Sequence, residues 1–185
     1  VQTGTGTFTD YDGTTIEYPI YEYEITDSED TVKRFNSVGL LTKITDEDGF
    51  VTELSYDDNY NLSTLTTPQG RTYTFTMANG YVSEISLPNG KTLKYGYDEN
   101  NNLSTFTDAN GNTTTYLYDD AHRMLSYKDA NGDTVNENVY DSEGRVVKQT
   151  DGNGDVTTFE YSKGQTKTTD ANGNVTVYTY DENFR

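Results

Sequence analysis

The chain has 185 residues, of which 31% are hydrophobic and 24% are charged, and its formal net charge is −18. This charge disfavours nucleic acids and anionic membrane surfaces as partners, because both are themselves negative. The sequence contains no Cys, which excludes disulfides and thiolate metal sites, and no apolar run is long enough to span a bilayer. The 17 Tyr and 7 Phe, together with frequent Thr and Val, are typical of β-strands and argue against a disordered chain.

Residues 1–35 are the least regular part of the sequence. The segment 16–25 alternates in polarity but contains Pro19, which cannot donate a hydrogen bond to a β-ladder, so we expect this segment at a sheet edge. Ser28 stands where a repeated glycine is expected, and residues 35–40 resemble a Tyr-Asp-x-x-Gly-Leu turn. An atypical first unit is normal in arrays, and we therefore predict degenerate or capping strands in this region.

From residue 36 to residue 185 the sequence repeats with a period of about 21 residues. The repeated glycines are Gly49, Gly70, Gly90, Gly111, Gly132, Gly154 and Gly173. Most are followed after seven residues by a Tyr-Asp pair, and these pairs are Tyr56-Asp57, Tyr97-Asp98, Tyr118-Asp119, Tyr180-Asp181 and, one residue late, Tyr140-Asp141. Tyr161-Ser162 and Met77-Ala78 fill the slot in two other copies. A fixed period indicates tandem copies of one small unit that stabilise each other by stacking, and the last copy is cut midway, as in a fragment of a longer array.

Each repeat is predicted to contain two strands and two turns. Tyr116 and Tyr118 share one strand face, since side chains two apart point the same way, and the late copy offers only Asn138 with Tyr140. A second strand opens with an apolar residue six positions after the tyrosine, at Leu62, Leu103, Met124 and Val146. The other turn contains Asn-Gly, which predicts a type I′ hairpin with positive φ at both central residues. The variants Pro68-Gln69-Gly70 and Pro88-Asn89-Gly90 fit a turn too, since Pro presets φ at an early turn position. The fold class predicted is all-β, an antiparallel hairpin array that curls by its own twist.

The pattern Gly-x6-Tyr-Asp, followed by a Gly/Asn-Arg/Asn-Leu-like turn and Thr-Asp-x-x-Gly-Asn, resembles the YD repeat, also called the RHS repeat. The resemblance covers residues 36–185 and is clearest in 107–124 and 169–185. It implies a spiralling β-sheet shell or barrel, as in bacterial polymorphic toxins, Tc-type insecticidal toxin components, wall-associated proteins and teneurins. It also implies a secreted or cell-surface location, with the bacterial cell wall as one setting. The self-cleaving core segment and the variable toxin of the family's toxins are not found in this sequence.

Three constellations suggest chemistry, and each has a simpler explanation. The runs that begin at Asp108, Asp129, Asp151 and Asp170 resemble the start of a calcium loop, but none has Gly at the sixth position or Glu at the twelfth. Calcium therefore stays an improbable cofactor, and no other is expected. The acid pairs Asp46/Asp48, Asp57/Asp58 and Asp119/Asp120 suit water-facing turns better than a glycosidase. His122, the only histidine, occupies a turn slot that Asn101 and Glu143 fill in other copies, so we predict no catalytic residue and no enzyme.

The recurring tyrosines have a structural and a functional interpretation. Stacked copies place aromatic rings in columns that stabilise the sheet, whereas exposed rings beside acids would suit sugar binding. Their presence in every repeat favours the structural interpretation. We therefore predict a non-catalytic segment of a shell or stalk. Its expected partners are further repeats of its parent chain and an enclosed C-terminal cargo domain. The alternative is an adhesive or carbohydrate-binding surface that contacts glycans.

Overall fold

The computed structural model describes residues 2–9 and 11–181. Within these residues every regular element is a β-strand. The chain folds as two compact units, of which the first ends at Thr92 and the second begins at Leu93. The predicted fold class, an all-β array of antiparallel hairpin repeats, is confirmed, whereas the predicted boundary between residues 1–35 and 36–185 stays a prediction.

The first unit begins with a separate hairpin and continues as a meander. Its strands are β1 (Gln2–Thr9), β2 (Thr15–Tyr21), β3 (Tyr23–Thr26), β4 (Val32–Phe35), β5 (Leu41–Thr45), β6 (Val51–Tyr56), β7 (Leu62–Thr66), β8 (Thr72–Ala78) and β9 (Tyr81–Ser86). Strands β1 and β2 pair only with each other, and β3 to β9 pair in sequence order, each antiparallel to the next. The segment 16–25 is therefore divided between two sheets, and Pro19 lies in a strand of a two-stranded sheet, which confirms the predicted edge position.

The second unit continues the same pattern. Its strands are β10 (Thr92–Tyr97), which starts at the boundary, β11 (Leu103–Thr107), β12 (Thr113–Tyr118), β13 (Met124–Lys128), β14 (Thr134–Tyr140), β15 (Val146–Asp151), β16 (Val156–Ser162), β17 (Gln165–Thr169) and β18 (Val175–Thr179). Each strand pairs antiparallel with the next. The predicted apolar residues at 62, 103, 124 and 146 each open a strand, as expected.

The strands alternate between a half-buried face and an exposed face. The half-buried face carries the tyrosines and is called the tyrosine face; its members include Leu54, Tyr56, Phe75, Tyr95, Tyr116, Tyr118, Phe159 and Tyr161. Cross-strand neighbours pair here, for example Tyr116 with Tyr127, whose ring centroids are 6.2 Å apart. The opposite face carries Thr, Ser and charged residues, and Leu117 on it is 58% exposed. Cross-strand pairs on one face are therefore the main apolar contacts of each unit.

A β-bulge follows most of the Tyr-Asp turns. In the hairpin of β6 and β7, Ser55 pairs with Thr64 but Tyr56 pairs with Leu62, so Ser63 is the extra residue. The pairing register shifts in the same way at Tyr97, Tyr118 and Tyr140. The bulge sets the tyrosine opposite the apolar residue six positions later, which explains why the sequence keeps that spacing.

Neither unit contains a dry core. Among the described residues no apolar side chain is buried, and Asn138, at 9% exposure, is the one buried residue. Asn138 lies on the tyrosine face, where its Nδ2 donates to the Met124 carbonyl at 3.1 Å and its Oδ1 accepts from Gln149 Nε2 at 3.0 Å. The late repeat thus replaces an aromatic pair by a hydrogen-bonded polar pair, whose polar atoms are satisfied as burial requires.

Candidate functional site

A five-residue turn recurs at both ends of the strands. In residues 108–112, the N–H of Asp108 donates to the carbonyl of Asn112 at 2.8 Å, and the N–H of Gly111 donates to the carbonyl of Asp108 at 3.0 Å. The fourth residue, Gly111, has a φ of +89°, which a β-branched side chain cannot adopt cheaply. We number such turns from position 1 (Asp108) to position 5 (Asn112). The other turns with both bonds span 27–31, 36–40, 46–50, 57–61, 67–71, 87–91, 98–102, 119–123, 129–133, 141–145, 151–155 and 170–174.

The side chain at position 1 closes most of these turns. Oδ1 of Asp108 accepts the N–H groups of Asn110 at 2.8 Å and Asn112 at 2.9 Å, and Oδ2 accepts Asn112 Nδ2 at 2.8 Å. The hydrogen bond from the Asn112 side chain, followed by the two backbone bonds, lowers the pKa of Asp108. Side-chain donors likewise lower the pKa of Asp27, Asp57, Asp98, Asp119 and Asp170, and the Arg145 backbone N–H is the first cause for Asp141. Each carboxylate is a built-in clasp of its own turn.

The predicted type I′ geometry of the Asn-Gly turns is wrong. Gly111 has positive φ, but its neighbour Asn110 does not belong to the residues with positive φ. The loop is one residue longer than a type I′ hairpin, because Asp at position 1 captures two N–H groups and stabilises a three-residue loop that ends in the left-handed region. A two-residue turn with positive φ at both positions does occur at Asn79-Gly80, φ +52° and +83°. It follows Ala78, where the Tyr-Asp pair is missing. The two-residue loop Lys163-Gly164 follows Ser162, and there only Gly164 has positive φ, at +70°.

Two turns replace the aspartate clasp by proline. Turns 67–71 and 87–91 have Thr67 and Leu87 at position 1, and each has Pro at position 2. Both keep the two backbone hydrogen bonds of the standard turn. Proline fixes φ near the value that position 2 requires, so it stabilises the turn without a carboxylate.

Because every strand crosses the sheet, the turns lie alternately on two edges. The Tyr-Asp edge comprises turns 36–40, 57–61, 98–102, 119–123 and 141–145 with the two short loops, and the Asn-Gly edge comprises the remaining turns. The fourth position is Gly at seven of the eight turns of the Asn-Gly edge. On the Tyr-Asp edge, Tyr60, Asn101 and His122 hold this position with φ between +61° and +65°.

Tyrosine hydroxyls join neighbouring hairpins at the Tyr-Asp edge. The hydroxyl of Tyr56 donates to the carbonyl of Leu41 at 2.8 Å, and Tyr161 donates to Val146 at 2.8 Å. Tyr140 makes the equivalent bond to Met124 at 2.8 Å. Each acceptor is the first residue of the preceding strand, and in β5 and β6 it lies beyond the last ladder pair, Lys43 with Glu53. The hydroxyl thus satisfies a carbonyl that the ladder leaves open.

Arginines at position 5 extend this connection in the second unit. Arg123 donates from Nε to Asp119 Oδ2 at 2.7 Å, and its guanidinium lies 4.8 Å from the centre of the Tyr140 ring in the next repeat. Arg145 pairs with Asp141 in the same way and lies 4.6 Å from the Tyr161 ring. The aspartate therefore orients the cation over the ring, an arrangement that combines an ion pair with a cation–π contact.

His122 also links two turns. Its Nδ1 lies 2.7 Å from Asn102 Oδ1, and Asn102 Nδ2 donates to Asp98 Oδ2 at 2.9 Å. His122 holds position 4 of its turn, and in the next copy position 4 is Gly144. The prediction that Glu143 is the residue equivalent to His122 is therefore wrong, because the late Tyr140 shifts that turn by one residue. For a similar reason the glycine slot assigned to Ser28 belongs to Asp30, φ +56°, because the turn starts at Asp27.

The signature residues from Gly49 to Gly173 lie in turns or on the tyrosine face. The sequence did not single out Arg123 and Arg145 as linking residues. The sequence does contain a pattern that points to position 5. On the Tyr-Asp edge, every turn that begins with Asp has Asn or Arg at position 5, and both side chains can donate to the carboxylate. The purely structural role of the signature residues, without a catalytic, cofactor or metal site, stays a prediction.

Two of the three acid pairs lie in five-residue turns of the Tyr-Asp edge. Asp57 and Asp119 are engaged by their own turns, while Asp58 and Asp120 follow them at position 2. In the described part of the chain no three His, Asp or Glu residues are grouped so that they could hold a metal ion. That the chain needs no cofactor, calcium included, stays a prediction. No helix of the described residues is long and apolar enough to cross a membrane.

The family comparison agrees with this geometry. The model of the RHS repeat matches residues 35–72, 97–134 and 140–165, which together exceed half of the chain. The chain belongs to the RHS-repeat family. This confirms the resemblance drawn from the Tyr-Asp pattern. No curated protein sequence matches the chain significantly.

Solved structures show the same fold in larger proteins. The crystal structure of TcdB2-TccC3 without hypervariable C-terminal region matches 91% of this RHS-repeat chain with a TM-score of 0.60 and 16% identity. The crystal structure of TcdB2-TccC3 matches with the same three values. The chain spans only 11% and 12% of the chains it matches. At this identity the likeness shows the fold, and the chain is a structural repeat segment.

Proposed function

We propose that this RHS-repeat chain is a non-catalytic wall segment of a larger shell or stalk that is secreted or displayed at the cell surface. The observation that carries the proposal is the hydroxyl link between neighbouring hairpins, as in the 2.8 Å bond from Tyr161 to Val146. A link that is repeated along the chain allows an array to be extended by further copies without a new kind of contact.

The two faces of the sheet suit a wall. The tyrosine face is half-buried although no second layer of described residues covers it, and the opposite face is rich in Thr and charged residues. TcdB2-TccC3 has a hypervariable C-terminal region, and by fold-level analogy we propose that the parent array of this chain encloses a C-terminal cargo polypeptide. In this proposal the tyrosine face is the enclosed face.

Cysteine labelling in the full-length parent tests the proposal. These 185 residues contain no Cys, so single substitutions give an unambiguous signal from this segment. Leu117→Cys on the exposed face and Tyr178→Cys on the tyrosine face are matched, since the native residues are 58% and 57% exposed. We expect a small maleimide to label both variants and a bulky polymer-linked maleimide to label only Leu117→Cys. Equal labelling of both by the bulky reagent contradicts an enclosed face.

The adhesive or carbohydrate-binding function stays the second candidate. Tyr23 and Tyr178 expose 57% of their surface, and aromatic rings of this kind can stack on sugars. A glycan array screened with the chain decides the question. Saturable binding that is lost on Tyr178→Ala favours an adhesive surface over a purely structural wall.

A further inference from the structure

The Asn-Gly edge of the first unit contains a region without acids. Turns 67–71 and 87–91 have the sequences Thr-Pro-Gln-Gly-Arg and Leu-Pro-Asn-Gly-Lys, with two cations and no carboxylate. Every other turn of this edge begins with Asp; these turns are 27–31, 46–50, 108–112, 129–133, 151–155 and 170–174. In a chain of net charge −18 these two consecutive turns are therefore a cationic exception.

The cation of the first turn is not neutralised within the protein. Arg123 and Arg145, at the same turn position, are each held by the Asp at position 1. In turn 67–71 position 1 is Thr67, whose Oγ1 accepts only the backbone N–H of Arg71, at 3.3 Å. Within the described residues the exposed Arg71 guanidinium forms no hydrogen bond or ion pair. The missing carboxylate leaves a planar, bidentate donor available to a ligand.

A groove adjoins this arginine. It has a volume of about 460 Å³ and is lined by Arg71, Tyr73, Leu87, Pro88 and Asn89. This volume lies in the range of small-molecule sites, which combine apolar walls with a few polar groups. The acids of the preceding turn, Asp46 to Asp48, line a separate groove with Glu29 and Thr31. In the described structure the groove of Arg71 is thus free of lining carboxylates.

We propose that this groove binds a carboxylated sugar unit of the uronic acid class. The Arg71 guanidinium pairs with the carboxylate, for which its fork of donors is suited. Tyr73 and Pro88 supply apolar surface for the C–H face of the pyranose ring, and Asn89 supplies hydrogen bonds to hydroxyls. A ring with a single carboxylate matches this combination better than a neutral sugar does, and a polyanionic strand is repelled by the rest of the chain.

The inference does not rest on the proposed wall function. A wall segment needs no free arginine at one turn, and the constellation of Arg, Tyr and Pro occurs once in the array rather than in each repeat. Loss of the site would leave the turns and the tyrosine face unchanged, because the Arg71 side chain contacts no partner in the described structure.

Titration of the whole chain with digalacturonic acid, followed by NMR, tests the proposal. We expect saturable shifts of the amides at 71–73 and 87–91, and no such shifts with neutral digalactose. Arg71→Gln should weaken binding by at least about tenfold, which is the loss of one charge-assisted bidentate contact. Arg34→Gln is the matched control, since it removes an ion-paired cation of the same unit, and binding should change by less than about twofold.

The outcomes separate the proposal from its rivals. An unchanged melting temperature of Arg71→Gln establishes that weaker binding is not caused by unfolding. Tyr73→Leu should also weaken binding, because it removes the aromatic wall. Equal affinity for digalactose, equal losses in Arg71→Gln and Arg34→Gln, or tighter binding of an oligoglutamate peptide than of digalacturonate would each overturn the assignment to an acidic sugar.

Discussion

The two edges of the sheet are built from the same five-residue turn but are used differently. On the Asn-Gly edge, turn 170–174 is closed by its own aspartate, and its hydrogen bonds begin and end within the turn. On the Tyr-Asp edge, turn 119–123 has the same internal bonds, and Arg123 also lies over Tyr140 of the next repeat. The turns of the Asn-Gly edge are thus stabilised by bonds within each turn, whereas the turns of the Tyr-Asp edge also contact the next repeat.

The two edges therefore have different structural roles: one reverses the chain, and the other also links neighbouring hairpins. The Asn-Gly turns need only reverse the chain, so glycine holds nearly every fourth position. The Tyr-Asp turns also join hairpins, and side chains such as His122 remain at the fourth position although the left-handed conformation strains them. With no buried apolar residue among those described, the links between repeats stabilise the array where a core otherwise would.

Acid should have the largest effect, because the pKa is lowered at seven turn carboxylates, all of which are protonated in strong acid; they are Asp27, Asp57, Asp98, Asp108, Asp119, Asp141 and Asp170. Their folded-state pKa values lie below the unfolded value of 3.8, so their stabilisation is present above that pH. It is lost as the pH falls from about 3.8 through the lower folded-state values.

Amide exchange measured against pH tests this and sharpens the comparison of the edges. Protection at 110–112 should be lost at higher pH than protection at 143–145, since the second turn keeps its tyrosine and arginine neighbours. Asp108→Asn retains an acceptor that does not titrate, and its exchange should depend less on pH. Simultaneous loss at both turns would mean that the edges do not differ in stability.

Gly111→Val should be the most harmful single substitution at the Asn-Gly edge. Valine at a φ of +89° is strained even though the added Cβ meets nothing within 4 Å. We expect a decrease of about 2 kcal/mol in the free energy of unfolding, measured by urea denaturation. Ala109→Val in the same turn is the control, because position 2 has no positive φ, and it should cost less than about 0.5 kcal/mol. Similar losses for both would show that position 4 is not the constrained position.

The positions of strands and turns could be predicted because they follow the period. Alternation placed Tyr116 and Tyr118 on one face, and the spacing of six residues placed Met124 at the start of β13. The geometry of the turns could not be read from Asn-Gly alone, since that dipeptide suits two loop lengths. The residues before Asn-Gly matter as well: in turn 108–112 the aspartate three positions before the glycine caps the longer loop, and in turn 87–91 a proline at position 2 accompanies the same loop.

Contacts between repeats were out of reach of the sequence. Arg123 and Tyr140 are 17 residues apart, and they meet only because a bulge in each hairpin fixes the register of both strands. The polar pair Asn138 and Gln149 on the tyrosine face is also a property of the register, which places the two side chains opposite each other. Periodicity predicts which residues are equivalent, whereas register determines which of them touch.

Removal of one tyrosine hydroxyl tests the link between hairpins. Tyr161→Phe keeps the ring beneath Arg145 but leaves the Val146 carbonyl without its 2.8 Å donor. We expect a loss of about 1 kcal/mol in the free energy of unfolding, the usual cost of one hydrogen bond. Tyr60→Phe, at a 62% exposed turn tyrosine, should have no measurable effect. If both variants are equally stable, the tyrosine hydroxyl does not stabilise the contact between neighbouring hairpins.

The smallest effect is expected at the cation over the ring. Arg123→Met keeps the apolar stem but removes the guanidinium from the Tyr140 ring and from the Asp141 carbonyl, 3.3 Å from Nη1. The contact with the Tyr140 ring should account for about 0.5 kcal/mol of the decrease in the free energy of unfolding, as for a cation–π contact near the surface, and the lost ion pair with Asp119 adds to it. A double-mutant cycle with Tyr140→Leu separates this contact from the ion pair with Asp119. If the coupling energy is zero, the arginine stabilises only its own turn; a positive coupling shows that two repeats share it, as a connected edge requires.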